Sequence, residues 1–246
     1  MMQGQLYEKI SDLSKSLKLQ AFKDYKGYIK EGLSTEEVIH SLLVAEHALK
    51  ENNKLKYRIK NAAFPVTKTL DTFEFSKKRL PNLKKDTIME LASCAFIERR
   101  ENVVAIGNCG TGKTHISISL GIEAISKGYT VKFRRASELV NQMTEALNEK
   151  LLSKYIKAIN ACDLLIIDEL GYLTFDLQGA NLLFQIFAAR YETKSIMVTS
   201  NLEFSKWVTF LGNDVHMSSA LIERLLHIST VLNMNGEGYR TINRKK

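Results

Sequence analysis

Proline is nearly missing from this chain of 246 residues: there are two, Pro65 and Pro81, and both fall in one short stretch. Cysteine is as scarce. Cys94, Cys109 and Cys162 are scattered without metal-ligand spacing, which argues against a zinc module and suits a reducing cytosol. No apolar run approaches the roughly 18 residues a membrane span requires. The first residues, Met1 to Leu17, are punctuated by Glu8, Lys9, Asp12 and Lys15, so they do not read as a signal peptide. No internal repeat and no low-complexity tract is present. These absences leave a cytoplasmic globular protein with one large domain, or a core domain and a small appendage. Acidic residues are also in deficit. Lys and Arg number 35 against 27 Asp and Glu, giving a net charge of +8 and a pI near 9.2. That balance asks for an acidic partner, nucleic acid first among them.

Against this background one stretch stands out. The run Asn102-Val103-Val104-Ala105-Ile106 reads as a strand, and Gly107-Asn108-Cys109-Gly110-Thr111-Gly112-Lys113-Thr114 follows it directly. This is G-x-x-x-x-G-K-T between a strand and a helix, the context a phosphate-binding P-loop requires. Glycines let the backbone turn so that successive N–H groups point at phosphate oxygens. The helix that starts near Lys113 adds its positive dipole end to the same place. Lys113 is expected to reach the β- and γ-phosphates of a nucleotide, and the Thr114 hydroxyl to hold Mg²⁺. Cys109 is open to thiol reagents, or is simply a small residue that fits the loop.

A second run completes such a site. Leu164-Leu165-Ile166-Ile167 is apolar throughout, as in a strand buried on both faces of a parallel sheet, and Asp168-Glu169 ends it. Strand ends of that kind lie beside the P-loop. Asp168 then reaches the Mg²⁺ shell and Glu169 polarises a water for in-line attack on the γ-phosphate. An acidic pair rather than a lone Asp favours an ATPase that activates its own water.

The rest of the chain arranges itself around this core. Residues 1–62 read as a small helical domain. Leu6, Ile10, Leu13 and Leu17 share one helical face, and Ser34 with Glu37 forms a capping box before a second helix. The lysine-rich end of that helix, 50–58, is either a solvated face or part of a DNA- or partner-binding module. Residues 63–82 are a connector leading into the ATPase domain, 63–246. Its Phe73 and Phe75 suit either an adenine contact or the core. A helix from Lys84 to about Glu98 precedes the P-loop strand. Further strands are expected at 128–133, 164–167 and 195–201, with helices at 114–127, 137–161 and 179–192. Strands alternating with helices give an α/β fold, a parallel sheet flanked by helices. Asn201 closes the last strand, where it either reaches the attacking water or γ-phosphate or merely turns the chain. Arg224 lies on the polar side of a short helix, 218–226. It acts as a transition-state arginine, from a neighbouring subunit if need be, or belongs to an ordinary surface charge pattern.

These blocks resemble a known family. Gly-x-x-Gly-Thr-Gly-Lys-Thr-His (107–115), Leu-Leu-Ile-Ile-Asp-Glu-Leu-Gly-Tyr-Leu (164–173), Gly-Ala-Asn-Leu-Leu-Phe-Gln (179–185), Arg-Tyr-Glu (190–192), Thr-Ser-Asn-Leu-x-Phe-Ser-x-Trp (199–207) and Glu-Arg-Leu-Leu-His (223–227) are similar to the IstB-like helper ATPases of bacterial insertion sequences. Those are AAA+ proteins similar to the DnaC helicase loaders, and the resemblance spans essentially the whole chain. It implies that Lys113 and Thr114 are the Walker A pair, Asp168 and Glu169 the Walker B pair, and Asn201 the first sensor. It also implies that Arg224 is the finger acting across a subunit boundary, and that Arg240, in Gly-Glu-Gly-Tyr-Arg (236–240), senses phosphate. The final lid is expected to be small or absent. One departure stands in the loop, where Asn108 and Cys109 occupy positions the family often gives to proline; the change alters rigidity more than phosphate ligands.

The resemblance further implies ATP- and DNA-dependent assembly of a homo-oligomer on duplex DNA. That DNA is then delivered to a partner transposase of the DDE type, encoded nearby. The basic surface for DNA is expected around Gln142, Lys150, Lys154 and Lys157, helped by N-terminal lysines. Two other readings compete. One is a DnaC-like helicase loader acting on single-stranded DNA and a replicative helicase; the other is a small-molecule P-loop kinase.

Overall fold

The structure is a computed structural model that describes residues 2–239. The chain divides into two compact units, Met1–Tyr57 and Arg58–Lys246. Among the described residues no helix is long and apolar enough to cross a membrane.

The first unit holds helix α1 (Met2–Ser16), a 3₁₀ turn (Ala21–Tyr28) and the start of α2 (Thr35–Ala62). The expected capping box forms: the Ser34 N–H donates to Glu37 Oε2 at 2.7 Å, and the Glu37 N–H donates to Ser34 Oγ at 3.2 Å. Inside the unit, Glu46 is buried and accepts from the Ala21 N–H at 2.8 Å. On the expected apolar face Leu6 and Leu13 of α1, and Leu17 just past its end, are well exposed, while Ile10 is partly covered.

The second unit opens with the end of α2 and a 3₁₀ turn (Leu70–Thr72), followed by α3 (Lys85–Ala92), α4 (Ala95–Glu98), β1 (Asn102–Ile106), α5 (Lys113–Ser126), β2 (Val131–Arg135), α6 (Ala136–Asn148), α7 (Leu152–Asn160) and β3 (Leu164–Leu170). It continues with α8 (Leu177–Arg190), β4 (Ser195–Ser200), α9 (Trp207–Phe210), α10 (Val215–Leu226) and β5 (Ser229–Asn233). Two helices expected as single runs are broken. Cys94 adopts φ +64° between α3 and α4, and Lys150 adopts φ +60° between α6 and α7. Neither break carries the glycine or proline by which a sequence announces one.

All strands pair in parallel, in the order β2-β3-β4-β1-β5. The three central strands are near-continuous apolar runs because helices cover both faces. Alternation sorts them: Val104, Ile106, Leu165, Ile167, Ile196 and Val198 join α6, α8 and α10 in one core. Ile166 points the other way, towards Gly121 of α5. Every crossover therefore returns the chain to the same sheet edge, and the carboxyl ends of β1, β3 and β4 gather the polar residues of the site.

Candidate functional site

The phosphate loop, 107–112, joins β1 to α5. Gly112 sits at φ +96°, a backbone conformation that side chains rarely adopt, and a Cβ there would come within 2.6 Å of the Phe73 ring. The glycine is thus needed twice, for the turn and for the aromatic ring packed upon it. Phe73 is buried, meets Phe75 edge-on at 4.9 Å between centroids and meets the His115 ring at 5.3 Å. His115 Nε2 also lies 2.9 Å from the Thr69 carbonyl and 3.2 Å from Thr72 Oγ1. The connector is thereby fastened to the first turn of α5, and of the two readings of Phe73 the structure shows the packed one.

Lys113 folds back over the loop. Its ammonium donates to the carbonyls of Gly107 at 2.6 Å and Asn108 at 2.8 Å. Burial lowers its pKa, opposed by the nearby charges of Cys109, Asp168 and Glu169. The Thr111 hydroxyl donates to the Asn108 carbonyl at 2.8 Å and closes the turn from within. Gly110 completes the loop, and Cys109 is exposed on it.

The acidic pair ends β3 on an irregularity. Register with β4 runs Ile167↔Val198 and then jumps to Leu170↔Ser200, and Glu169 takes φ +59°. Such a bulge bends the strand and re-aims its side chains. A non-glycine residue in that region is uncommon and costs of order 1 kcal/mol, held here by its surroundings. As a result the two carboxylates part. Asp168 turns inward, where it accepts from Thr114 Oγ1 at 3.0 and 3.1 Å and from Thr199 Oγ1 at 2.5 Å. Burial raises its pKa, partly offset by the hydrogen bonds from Thr199 and Thr114. Glu169 turns outward to an exposed ion pair with Arg135, Nε to Oε2 at 3.6 Å, while its own N–H donates to Thr199 Oγ1 at 3.0 Å.

Sequence reasoning overlooked Thr199 and Arg135. Thr199 braces both members of the acidic pair, and its signal was available: a polar residue inside a wholly buried strand. Arg135, the last residue of β2, gave none; only the sheet order brings it opposite Asp168 and Glu169.

The remaining candidates are spread over the unit. Asn201 stands exposed one residue beyond β4. Arg224 lies near the end of α10, packed on the Phe184 ring at 5.0 Å and donating to the Ala220 carbonyl at 3.0 Å. The side chain of Asn102, the first residue of β1, donates to the carbonyl of the adjacent Leu225 at 3.0 Å, so Arg224 sits at the amino edge of the sheet, opposite its own phosphate loop. Gln142 on α6, Lys150 in the following turn, and Lys154 and Lys157 on α7 are all exposed. Tyr155 ties the two helices together by donating to Gln142 Oε1 at 2.6 Å. Arg240 lies outside the described residues.

A parallel sheet of this order, with a phosphate loop after β1 and an acidic pair near the end of β3, is the P-loop AAA+ fold. The chain belongs to the family described as IstB-like ATP binding protein, which matches residues 12–246. It is 41% identical over 208 residues to a protein of insertion sequence IS5376 from Geobacillus stearothermophilus that is named for ATP binding, covering 85% of this chain and 82% of that protein. Among solved structures it is similar to the DnaC helicase loader, with a TM-score of 0.56 at 19% identity over 72% of this chain and 98% of that one. It is also similar to AMPPCP-bound DnaA from Aquifex aeolicus, with a TM-score of 0.55 at 23% identity over 69% of this chain. The chain spans about half, 51%, of that DnaA chain. At these identities the structural likeness concerns the fold.

Proposed function

We propose that the chain is a DNA-binding ATPase that assembles with ATP on duplex DNA and delivers target DNA to a partner transposase encoded beside it. The observation that carries the reading is the division of labour at the end of β3, with Asp168 bonded to Thr114 and Glu169 turned outward. In this reading the loop amides and Lys113 hold the ATP phosphates, and Lys113 leaves the loop carbonyls to do so. A hydroxyl and a carboxylate within hydrogen-bonding distance form an all-oxygen pair of the kind Mg²⁺ takes alongside substrate phosphates. Thr114 and Asp168 would hold that ion, which would neutralise phosphate charge when bound. Glu169, once free of Arg135, orients a water in line with the γ-phosphate and accepts its proton. Asn201, at the same sheet edge, contributes a hydrogen bond to that water or to the phosphate, and Arg240 contacts phosphate near the C-terminus.

Arg224 is assigned to the neighbouring copy's site. Its place at the amino edge of the sheet supports a finger given in trans, because a side chain there serves a site only when another copy presents one. Turnover then depends on assembly, and duplex DNA promotes assembly by binding the repeated basic helices around Lys150, Lys154 and Lys157.

The test is ATP turnover against protein concentration, with and without duplex DNA, for the wild type and Arg224→Ala. The reading expects turnover to rise more steeply than linearly, to rise further with duplex DNA, and to vanish in the variant while ATP still binds. Linear turnover, indifferent to DNA and intact in Arg224→Ala, would overturn it. A preference for single-stranded DNA would favour a helicase loader instead.

A further inference from the structure

The segment that follows β5, 234–239, does not leave the sheet freely. It runs back between the connector and the phosphate loop and is held on both sides. The Met234 N–H donates to the Ile106 carbonyl at 2.7 Å, carrying the β1–β5 pairing to the end of β1, where the loop begins. Towards the connector, the Glu237 N–H donates to the Arg79 carbonyl at 3.0 Å. A Cβ on Gly236 would fall upon that same carbonyl oxygen, so only glycine lets the strap lie this close. The Arg79 guanidinium covers the Tyr239 ring at 5.1 Å. Towards the loop, the Tyr239 N–H donates to the Gly110 carbonyl at 2.9 Å, and Asn108 Nδ2 donates to the Gly236 carbonyl at 3.1 Å.

Asn108 is the junction of this arrangement. Its side chain holds the strap, while its carbonyl holds the Lys113 ammonium and the Thr111 hydroxyl. Proline at this position would offer no side-chain amide. The loop's peptide groups face two ways. The Gly110 carbonyl, taken by Tyr239, shares its peptide plane with the Thr111 N–H, one of the donors available to a phosphate. An anion on that N–H polarises the peptide and makes the carbonyl a stronger acceptor, since hydrogen bonds in a chain reinforce one another.

We propose that Asn108 is a positioning residue that latches the C-terminal strap onto the phosphate loop, so that nucleotide bound in the loop tightens the strap. The latch also holds the loop in shape before the nucleotide arrives, which spares ordering at the moment of binding. This inference rests on the reading of the loop as the ATP site. Its consequence is that the nucleotide state is carried to residues 234–239 and to the Arg79–Tyr239 pair through the loop's own bonds.

Hydrogen exchange of the full chain, with and without a non-hydrolysable ATP analogue, tests the latch. The wild type is expected to bind the analogue and to show slower exchange across 234–239 when it does. Asn108→Ala should weaken analogue binding about threefold to tenfold, the scale of one neutral hydrogen bond. In that variant the strap's exchange should no longer respond to bound nucleotide. In steady state the larger effect should fall on KM rather than kcat. Gly236→Ala, which dislodges the strap from the other side, should have the same effects, and the double variant should be no worse than either alone. A wild-type strap indifferent to bound analogue, or an Asn108→Ala strap that responds as the wild type does, would overturn the latch. Additive losses in the double variant would overturn it too. Failure of the wild type to bind the analogue at all would instead overturn the assignment of the ATP site.

Discussion

At the carboxyl edge of the sheet Asp168 is buried among hydroxyls; at the amino edge Arg190 is buried among carbonyls. The Arg190 guanidinium is 1% exposed and donates to the carbonyls of Cys162, Asp163 and Ser195 at 3.1, 3.1 and 2.8 Å. Beside it, Asp163 accepts from the Thr130 N–H at 2.9 Å, from Thr130 Oγ1 at 2.7 Å and from Lys194 Nζ at 2.5 Å. Burial pushes the Asp163 carboxyl up, but the bonds from Lys194 and Thr130 outweigh it and hold the pKa low. The Asp168 carboxyl stays raised, because it is buried more deeply than Asp163 and the bonds from Thr199 and Thr114 only partly offset that burial. Fixed partners make the amino edge a clamp on the starts of β2, β3 and β4. Rotatable hydroxyls, which release a carboxylate to a cation at little cost, leave the carboxyl edge ready to change partners. Both edges bury charge, yet only one has partners that a ligand can replace.

Arg224 is the residue that breaks the comparison. It shares the amino edge with Arg190, but it is half-exposed and bonds to a carbonyl of its own helix. If the carboxyl edge of one copy meets the amino edge of the next, the contact is head-to-tail and builds a ring or an open helix according to the rotation between copies. Arg224→Ala should then carry the largest effect, a loss of turnover of about 10³-fold or more. Binding of ATP to the isolated chain should be retained, as titration with a fluorescent analogue would reveal. Weakened nucleotide binding in this variant would return Arg224 to its own subunit and restore the amino edge to a purely structural role.

Glu169→Gln sharpens the other half. Removing a positioned base costs about 10²- to 10⁴-fold in rate, and the neutral amide also loses its pair with Arg135. The variant should bind ATP, fail to turn it over and accumulate as DNA-bound assemblies, visible by sedimentation. Loss of nucleotide binding would contradict the outward, solvent-side role given to this carboxylate.

Arg190→Met addresses the clamp itself. Methionine replaces part of the side chain's volume but leaves three carbonyls without their donor, so we expect a loss of about 3 kcal/mol in stability. ATP affinity of the folded fraction should hardly change, since the phosphate loop lies at the other end of the strands. Denaturant unfolding with and without the analogue measures both. A variant of full stability would show that the amino edge is not held by this residue.

The chain announces its central strands because each is an unbroken apolar run, and it announces the loop because glycines must stand where the backbone turns. Strand β5 stayed hidden: of Ser229–Asn233 only Leu232 is buried, and an edge strand with one inward residue leaves no run to read. The left-handed backbone of Glu169 was equally silent, since glutamate has no preference for that conformation and the bulge is imposed by the sheet around it. Thr199, two residues before Asn201, passed unnoticed although it makes the bonds to the acidic pair. The reason is general: a threonine in a strand reads as a good strand former before it reads as a ligand. Similarly, α6 and α7 read as one helix because Asn148-Glu149-Lys150 contains nothing that must break one.

That broken helix pair is the ground for the smallest effect. With Lys150 in the turn and Lys154 and Lys157 on α7, the pair presents three ammonium groups to solvent, on helices the nucleotide site does not use. If they meet the DNA backbone, each phosphate contact releases counterions, so the logarithm of affinity falls with the logarithm of salt at about −0.9 per contact on duplex. Lys150→Gln with Lys154→Gln should weaken duplex binding several-fold at moderate salt and flatten the slope by about two contacts. Sequence preference should not change, because backbone contacts carry no sequence information. Turnover without DNA should equal that of the wild type, since neither lysine is among the residues assigned to the nucleotide site. An unchanged slope would move the DNA surface elsewhere, to the lysines of the N-terminal unit. A slope that flattens while DNA-stimulated turnover persists would separate DNA affinity from the coupling of DNA to assembly.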